Sequence, residues 1–295
     1  FANNLKHDEA QATFITKDDL AGLPENFVAA LASKAKDLGK DGMYAVQNTR
    51  SAMEPFTTYS TRRDLREKVW TAYIMRGDNN DQWDNKKIGA QILKLRAKRA
   101  KLYGYPTHAH WRLEHSMAQN AERAMQLMEE VWPAAVQRVR DEVKDMADLA
   151  KKETKGVKTT IKPWDYRFYS EKVRKAKYDL DENEVKNYLQ LEKLREGMFW
   201  VAGELFNFKF EPAKDIPVYH PDVRVFEVKN KTTNAHVGLW YLDPYARAGK
   251  RSGAWMNAYR NQERFKGEVT TIVSNNSNFN KPKEGDPVLI SWTDA

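Results

Sequence analysis

One long stripe of apolar residues constrains the fold of this chain more than its other features do. Between about Asn120 and Lys152 its members recur at spacings of three and four: Met125, Met128, Trp132, Val136, Val139, Val143, Met146 and Ala150. Because an α-helix turns once in about 3.6 residues, this spacing places them on one face. The sequence therefore predicts one long amphipathic helix, in which Pro133 introduces a kink or a second helix start near Trp132.

Weaker helical patterns fill most of the first 210 residues. The predicted helices cover about 16–38, 61–75, 88–103 and 181–205. The last of them would begin at a capping box formed by Asp181 and Glu184. Since 31% of the residues are charged and the mean hydropathy is −0.78, these helices are expected to carry strongly charged outer faces.

The pattern changes near Phe210, where β-branched and aromatic residues become frequent. The segments 224–229 and 235–242 flank a turn-like sequence and predict a hairpin. Two further β-like segments lie at about 268–274 and 288–292.

These patterns together predict a mainly α protein with a small antiparallel β-sheet near the C-terminus. The change of character divides the chain into a helical lobe, residues 1–210, and a second region, residues 211–295.

Composition excludes several functional classes. The chain has no cysteine, which excludes disulfides, thiolate-bound zinc and thiol nucleophiles within it. No apolar run approaches the roughly 20 residues that span a bilayer, so we expect no membrane crossing. The net charge is +8, but the basic run at 94–101 has apolar residues at helical spacing. We interpret it as a solvated helix face and expect no nucleic-acid partner.

The histidines give no complete metal-binding motif. None of the six has a second histidine four residues later, the spacing that places two zinc ligands on one helical turn. His108, His110 and His115 cluster near Glu114, but the inverted zinc motif would need histidine at position 111, which is Trp111. The residues alone therefore assign no catalytic and no metal-ligating residue, and a structural or surface role is predicted for these histidines.

Two stretches resemble the thimet oligopeptidase and peptidyl-dipeptidase family of zinc peptidases. The first comprises Pro-Trp-Asp-Tyr at 163–166, Phe-Tyr at 168–169 and Tyr-Asp-Leu-Asp at 178–181. The second, Asp-Ile-Pro-Val-Tyr-His-Pro-Asp-Val-Arg-Val at 215–225, resembles the dipeptidyl carboxypeptidase branch in particular. Asp-Pro-Tyr-Ala-Arg at 243–247 and Gly-Ala-Trp-Met at 253–256 follow at the family's spacing. With weaker similarity upstream, the resemblance covers essentially the whole chain.

The resemblance implies a multi-helical, neurolysin-like and zincin-like lobe. Residues 1–210 would line a substrate channel, and residues 211–295 would begin the catalytic domain. The family's zinc is held by a His-Glu-x-x-His helix and a downstream glutamate, with the motif glutamate as general base. We expect the first of these ligands about five residues beyond Ala295. The chain would then be an amino-terminal and central portion that binds no zinc and is inactive alone, zinc belonging to the parent protein.

The resemblance also suggests a substrate-binding segment, Ser252, Gly253, Ala254 and Trp255. We expect it to form an edge strand that pairs with an extended peptide through backbone hydrogen bonds, with Trp255 packed beneath. The alternative interpretation is a tightly packed strand without a binding role.

The implied function of the parent protein is release of dipeptides from the C-terminus of short peptides, which makes it a peptidyl-dipeptidase. Such an enzyme needs a cationic site for the free carboxylate, and Arg247, Lys250 and Arg251 are candidates beside those of the remaining segment. Two alternatives stay open: an endo-acting oligopeptidase, and a non-catalytic protein that binds peptides or a partner. The expected partners are short peptides and the remaining catalytic segment of the same protein. The expected location is the bacterial cytoplasm, with the periplasm as the alternative.

Overall fold

The computed structural model describes residues 1–156, 159–179, 182–282 and 285–292. They form two compact units, one of residues 1–48 and 52–177 and one of residues 49–51 and 178–295. Over these ranges no helix combines the length and the apolar character needed to cross a bilayer. The assignment of a channel to 1–210 and of a catalytic domain to 211–295 stays a prediction.

Helices account for most of the chain up to residue 178. They are α1 (Ala2–Glu9), α2 (Glu25–Asp37), α3 (Arg50–Tyr59), α4 (Arg63–Ile74), α5 (Lys86–Leu102), α6 (His108–Leu113), α7 (Ala121–Glu153) and α8 (Tyr166–Tyr178). Two short strands, β1 (Ala12–Ile15) and β2 (Tyr44–Gln47), pair antiparallel. The main core of the first unit consists of Ile15, Phe27, Leu31, Val46, Met53, Phe56 and Val69. The predicted mainly α class is confirmed.

The predicted long helix is present as α7, a single helix of 33 residues. The helix continues through Pro133, so the alternative of a second helix start near Trp132 is wrong. Proline removes only one backbone N–H donor, and the turns on either side keep their backbone hydrogen bonds. Met146 and Ala150 at its C-terminal end are buried against the aromatic rings of α8. Trp132, further toward the N-terminus on the same stripe, is 69% exposed.

The predicted helix over 16–38 is wrong in its first part. Thr16 instead begins a short 3-10 turn, Lys17–Asp19, with its backbone amide donating to the last carboxylate of that turn at 2.9 Å. Gly22 then adopts a φ of +87°, which favours glycine and interrupts helical geometry. The helix α2 therefore begins only at Glu25.

A buried carboxylate ties α4 to the start of α8 within the first unit. Asp165 is fully buried and accepts hydrogen bonds from Arg66 Nη2 at 2.8 Å and Arg63 Nη2 at 2.7 Å. Arg66, itself only 2% exposed, also donates to the carbonyl of Ser60 at 2.7 Å. Because a buried charge is costly unless it is paired, the Pro-Trp-Asp-Tyr segment has a structural role here.

Over its described residues, the second unit contains two helices and a sheet. The helices are α9 (Glu182–Val185) and α10 (Leu191–Phe206), and the strands are β3 (Phe208–Pro212), β4 (Arg224–Asn230), β5 (His236–Tyr245), β6 (Trp255–Arg260) and β7 (Thr271–Phe279). A 3-10 turn, Lys186–Tyr188, separates the two helices. The single helix predicted over 181–205 is therefore wrong, and Asp181 of its capping box lies outside the described residues, as do Leu180 and 293–295.

One face of this sheet is covered by α10. Phe199 of that helix stacks on Phe210 with ring centroids 4.2 Å apart and meets the edges of Phe226 and Trp240. Aromatic rings bury large apolar areas, so this cluster fixes the helix on the sheet. Since side chains alternate along a strand, the neighbours of Trp240 on β5 point to the opposite face.

The strand order of the sheet is β3-β4-β5-β7-β6. The hairpin predicted from 224–242 is confirmed as the antiparallel pair β4–β5. Strand β7 inserts between β5 and β6 and runs parallel to β5, because β6 and its loops serve as the crossover that parallel strands require. The small sheet thus contains one parallel pair among antiparallel ones. The strand predicted at 288–292 is wrong, because these described residues show only one bridge, between Gln190 and Leu289.

Candidate substrate-binding cleft

Strand β6 is the outer strand of the sheet in the second unit. It pairs with β7 on one side, with Trp255 opposite Asn276. Over the described ranges no strand covers its other side. Its outward backbone amides and carbonyls can therefore pair with an added strand.

The structure places the predicted segment at the entrance to this strand. Trp255 is the first strand residue, while Ser252, Gly253 and Ala254 precede it in a loop. The expectation that all four lie within the strand is wrong, because Gly253 has a φ of +86°, outside the extended region. A role of these four residues in substrate binding stays a prediction.

Asn278 of β7 anchors the loop that leads into β6. Its side-chain amide donates to the carbonyl of Gly253 at 2.6 Å and to the carbonyl of Arg251 at 2.9 Å. A Cβ added at Gly253 would meet no described atom within 4 Å. The loop backbone is thus held in place while the space beside Gly253 stays open.

A buried carboxylate lies on the face of the sheet opposite α10. Asp243 is 1% exposed and shares a row with Asn276 and Trp255 across β5, β7 and β6. Arg247 donates to both of its carboxylate oxygens, at 2.6 and 2.8 Å. Its remaining partners are Lys250 Nζ, at 2.9 Å from Oδ1, and the hydroxyl of Tyr219, at 3.1 Å from Oδ2.

Burial and hydrogen bonding set the protonation states of this cluster. Burial raises the pKa of Asp243, but hydrogen bonds from Arg247 and Lys250 outweigh it and hold the pKa below its usual value. Burial lowers the pKa of Lys250 despite the opposing contact with Asp243. Burial also raises the pKa of Tyr219, and hydrogen bonds with Tyr259 and Asp243 raise it further. The carboxylate is therefore ionised and the phenol neutral near pH 7.

A cleft of about 280 Å³ opens beside this cluster. Its described lining consists of Tyr219, Asp243, Arg247, Gly249, Lys250, Arg251, Trp255, Tyr259 and Asn276. Aromatic rings provide apolar walls, and three cationic side chains accompany a single carboxylate in this lining. The cleft can therefore hold a short extended segment that carries an anionic group.

Comparison with known sequences identifies the family. The sequence model of Peptidase family M3 matches residues 56–295, most of the chain and every residue of the cleft. The chain belongs to peptidase family M3. The resemblance inferred from the sequence motifs is thereby confirmed.

Relatives of this M3 chain include several bacterial peptidases. Dipeptidyl carboxypeptidase of Escherichia coli (strain K12) is 37% identical over 277 residues, which are 94% of this chain and 40% of the relative. Dipeptidyl carboxypeptidase of Salmonella typhimurium (strain LT2) is 34% identical with the same coverage. Oligopeptidase A of Escherichia coli (strain K12) is 32% identical over 99% of this chain and 43% of the relative. The chain thus spans about two fifths of the length of these relatives.

The histidines of this M3 chain do not form a zinc site in the described ranges. No three histidine, aspartate or glutamate side chains converge there as a metal cage. His110 lies 3.3 Å from a carboxylate oxygen of Glu122, whereas His115 lies 3.6 Å from Glu114 and is largely exposed. The zinc that the family resemblance implies therefore does not fit the described residues.

Sequence reasoning missed the central position of Asp243. It appeared only as part of the Asp-Pro-Tyr-Ala-Arg motif, although one signal was available. Asp243 follows the apolar run of a predicted strand, and cationic residues stand four and seven positions later. A carboxylate in such a strand needs nearby cations, which Arg247 and Lys250 supply. Tyr219 and Tyr259 carried no comparable signal, because the fold alone brings them to the cleft.

Proposed function

We propose that this chain is part of a zinc peptidyl-dipeptidase and that it binds extended peptide substrates along β6. The observation that carries the proposal is the outer edge of β6 beside the cleft, which no strand covers in the described part of the chain. The chain is 37% identical to a dipeptidyl carboxypeptidase over 94% of its residues. The proposed partners are short peptides and the remaining catalytic segment of the same protein. Zinc would be held by residues other than those described, and no catalytic or metal role is proposed for this chain.

The edge strand supports peptide binding by strand addition. An extended peptide beside β6 would hydrogen-bond to the outward backbone groups, whose inward counterparts already pair with β7. Backbone pairing is independent of side chains, which suits a peptidase that accepts varied sequences. The side chains of Trp255 and Tyr259, two of the cleft-lining residues, would contact the substrate side chains.

The open space at Gly253 favours binding over mere close packing. A glycine required by tight packing has neighbours that a Cβ would strike, as Gly238 has in Thr271. The Cβ position of Gly253 is instead vacant among the described atoms. We therefore propose that Ser252, Gly253, Ala254 and Trp255 form the entrance to the binding edge, with Gly253 allowing the peptide backbone to approach.

The decisive experiment is product analysis with the protein at the full length of its relatives and loaded with zinc. Peptides of six to ten residues are incubated with it, and the products are identified by mass spectrometry. Successive loss of dipeptides from the carboxyl end supports the proposal. Internal cleavage alone would indicate an endo-acting oligopeptidase, and binding without cleavage would indicate a non-catalytic peptide-binding protein; either result overturns the proposed activity.

A matched pair of glycine variants tests the role of the edge. Gly253→Val should raise KM for peptides about tenfold, because the added side chain fills the space proposed for the peptide. Gly267→Val is the control, since Gly267 also has a positive φ and open surroundings but does not line the cleft. Equal KM values for the two variants would contradict binding at this edge.

A further inference from the structure

We infer that Arg251 binds a carboxylate of the peptide, placed at the end of the substrate that lies beside the start of β6. This inference rests on the proposed function and selects one residue from three candidate cations. The selection follows from how the structure uses Arg247, Lys250 and Arg251.

Lys250 is not available for a substrate carboxylate. Its ammonium group has three N–H donors, and it makes three hydrogen bonds: to Oδ1 of Asp243 at 2.9 Å, to the carbonyl of the same residue at 2.9 Å, and to the carbonyl of Tyr245 at 2.8 Å. Its side chain is only 3% exposed. Lys250 therefore holds the loop to the sheet.

Arg247 is also committed to the buried carboxylate. Both of its terminal nitrogens donate to Asp243, one to each oxygen, at 2.6 and 2.8 Å. This bidentate pair occupies the Nη1–Nη2 edge of the guanidinium, an edge that could otherwise bind a substrate carboxylate. Two of the three cationic side chains in the described cleft lining, Arg247 and Lys250, are thus paired with Asp243.

Arg251 is the cation that remains. Its guanidinium lies over the ring of Trp255, 4.7 Å from the centroid, and within the described part of the chain it has no carboxylate partner. Its backbone is fixed, because its carbonyl accepts a hydrogen bond from Asn278. Stacking on an aromatic ring orients the planar guanidinium and leaves its edge N–H groups available for a bidentate bond to a carboxylate.

Antiparallel addition of a peptide to β6 would place the carboxyl terminus of the peptide at Arg251. Arg251 stands four residues before the first residue of β6. A peptide that adds to β6 in antiparallel orientation, as β7 does on the other side, has its carboxyl end beside the amino end of β6. The terminal carboxylate would then lie next to the Arg251 guanidinium; an acidic side chain in the last residue offers the same chemistry.

The test compares carboxylate and amide peptides. Dissociation constants are measured by competition in fluorescence anisotropy with the full-length protein, for an alanine hexapeptide, its C-terminal amide, and the amide with aspartate as the last residue. Wild type should bind the free acid about tenfold more tightly than the amide, a difference of about 1.4 kcal/mol. Arg251→Gln should abolish this preference by weakening the free acid alone, and Arg251→Lys should restore part of it.

Arg264→Gln provides a matched control, because it removes the same charge from an exposed residue of the same unit. An unchanged preference in Arg251→Gln overturns the inference, even if the protein releases dipeptides. If only the aspartate peptide gains from Arg251, the bound carboxylate belongs to a side chain and not to the terminus. Arg251→Gln could lose the preference for the free acid even if the wild-type protein cleaves no peptide. That result would support carboxylate binding by Arg251 and reject the proposed peptidase activity.

Discussion

The ammonium nitrogen of Lys250 lies 2.9 Å from Oδ1 of Asp243, and the two side chains are only 3% and 1% exposed. This ion pair joins the end of β5 to the loop that leads into β6. The strand β6 begins directly after that loop and lines the cleft. The position of the proposed binding edge therefore depends on the buried ion pair between Lys250 and Asp243.

Replacing Asp243 should destabilise the second unit strongly. Asp243→Ala leaves the buried ammonium of Lys250 without its countercharge, and we expect a loss of about 3–5 kcal/mol in the free energy of unfolding. Urea denaturation followed by tryptophan fluorescence measures it. Glu196→Ala serves as the control, because the Lys193–Glu196 pair is exposed and its loss should leave the urea midpoint unchanged. Similar midpoints for both variants would show that the buried pair is not needed.

Two methionines on the same stripe of α7 should differ in their importance. Met146 is 2% exposed and packs against α8, so Met146→Ala should lower the free energy of unfolding by about 2–5 kcal/mol. Met128 is 56% exposed, and Met128→Ala should have little effect on the isolated chain. Thermal unfolding of both variants under one condition makes the comparison. A large loss from Met128→Ala would mean that this part of the stripe is covered.

Two glycines should respond to alanine in opposite directions. A Cβ at Gly238 would lie 2.6 Å from the carbonyl oxygen of Thr271 on the neighbouring strand, so Gly238→Ala should cost about 1–3 kcal/mol of stability. Gly197 lies in α10 with no described atom within 4 Å of its Cβ position, and alanine there should add about 0.5–1 kcal/mol. Chemical denaturation of the two variants tests the parallel pairing of β5 and β7. Equal stability of wild type and Gly238→Ala would argue against that register.

The pKa of Glu211 should lie at about 2, below its usual value of 4.5, because Lys229 and Lys209 donate hydrogen bonds to its carboxylate. A lowered pKa in the folded protein means that this carboxylate stabilises the fold above about pH 4.5, and that the contribution disappears as the pH falls toward about 2. NMR titration of the carboxyl carbon measures the pKa. Lys229→Met should raise it, whereas Lys266→Met, at an exposed site, should not. A pKa near 4.5 in wild type would contradict the two contacts.

The sequence predicted local features better than non-local ones. The helix α7 and the β4–β5 hairpin depend on residues close in sequence. The apolar periodicity predicted the helix, and two β-rich segments around a turn-like sequence predicted the hairpin. Gly22 delayed α2 through its positive φ, which a hydrophobic pattern does not reveal. The insertion of β7 beside β5 depends on contacts between distant segments, and no local signal predicts it.

In the candidate site, too, the sequence predicted local features and missed those that depend on the fold. The sequence pointed to residues 252–255 and to three nearby cations, but it could not choose among those cations. The choice depends on which cationic side chains contact Asp243. The distances from these side chains to the Asp243 carboxylate are set by the folded sheet and cannot be read from the sequence. Lys250, whose side chain is only 3% exposed, and the exposed Arg251 are adjacent in sequence, and the loop turns one side chain inward and the other outward.

The insertion of β7 also determines when the outer strand can form during synthesis on the ribosome. Trp255–Arg260 leaves the exit tunnel before Thr271–Phe279, yet in the finished sheet it is hydrogen-bonded to that later segment. The outer strand must therefore wait, unpaired, until its neighbour has been translated and has docked on β5. A nascent chain interrupted before Thr271 would expose both Trp255–Arg260 and the bare side of β5, two segments prone to non-native pairing and to capture by chaperones.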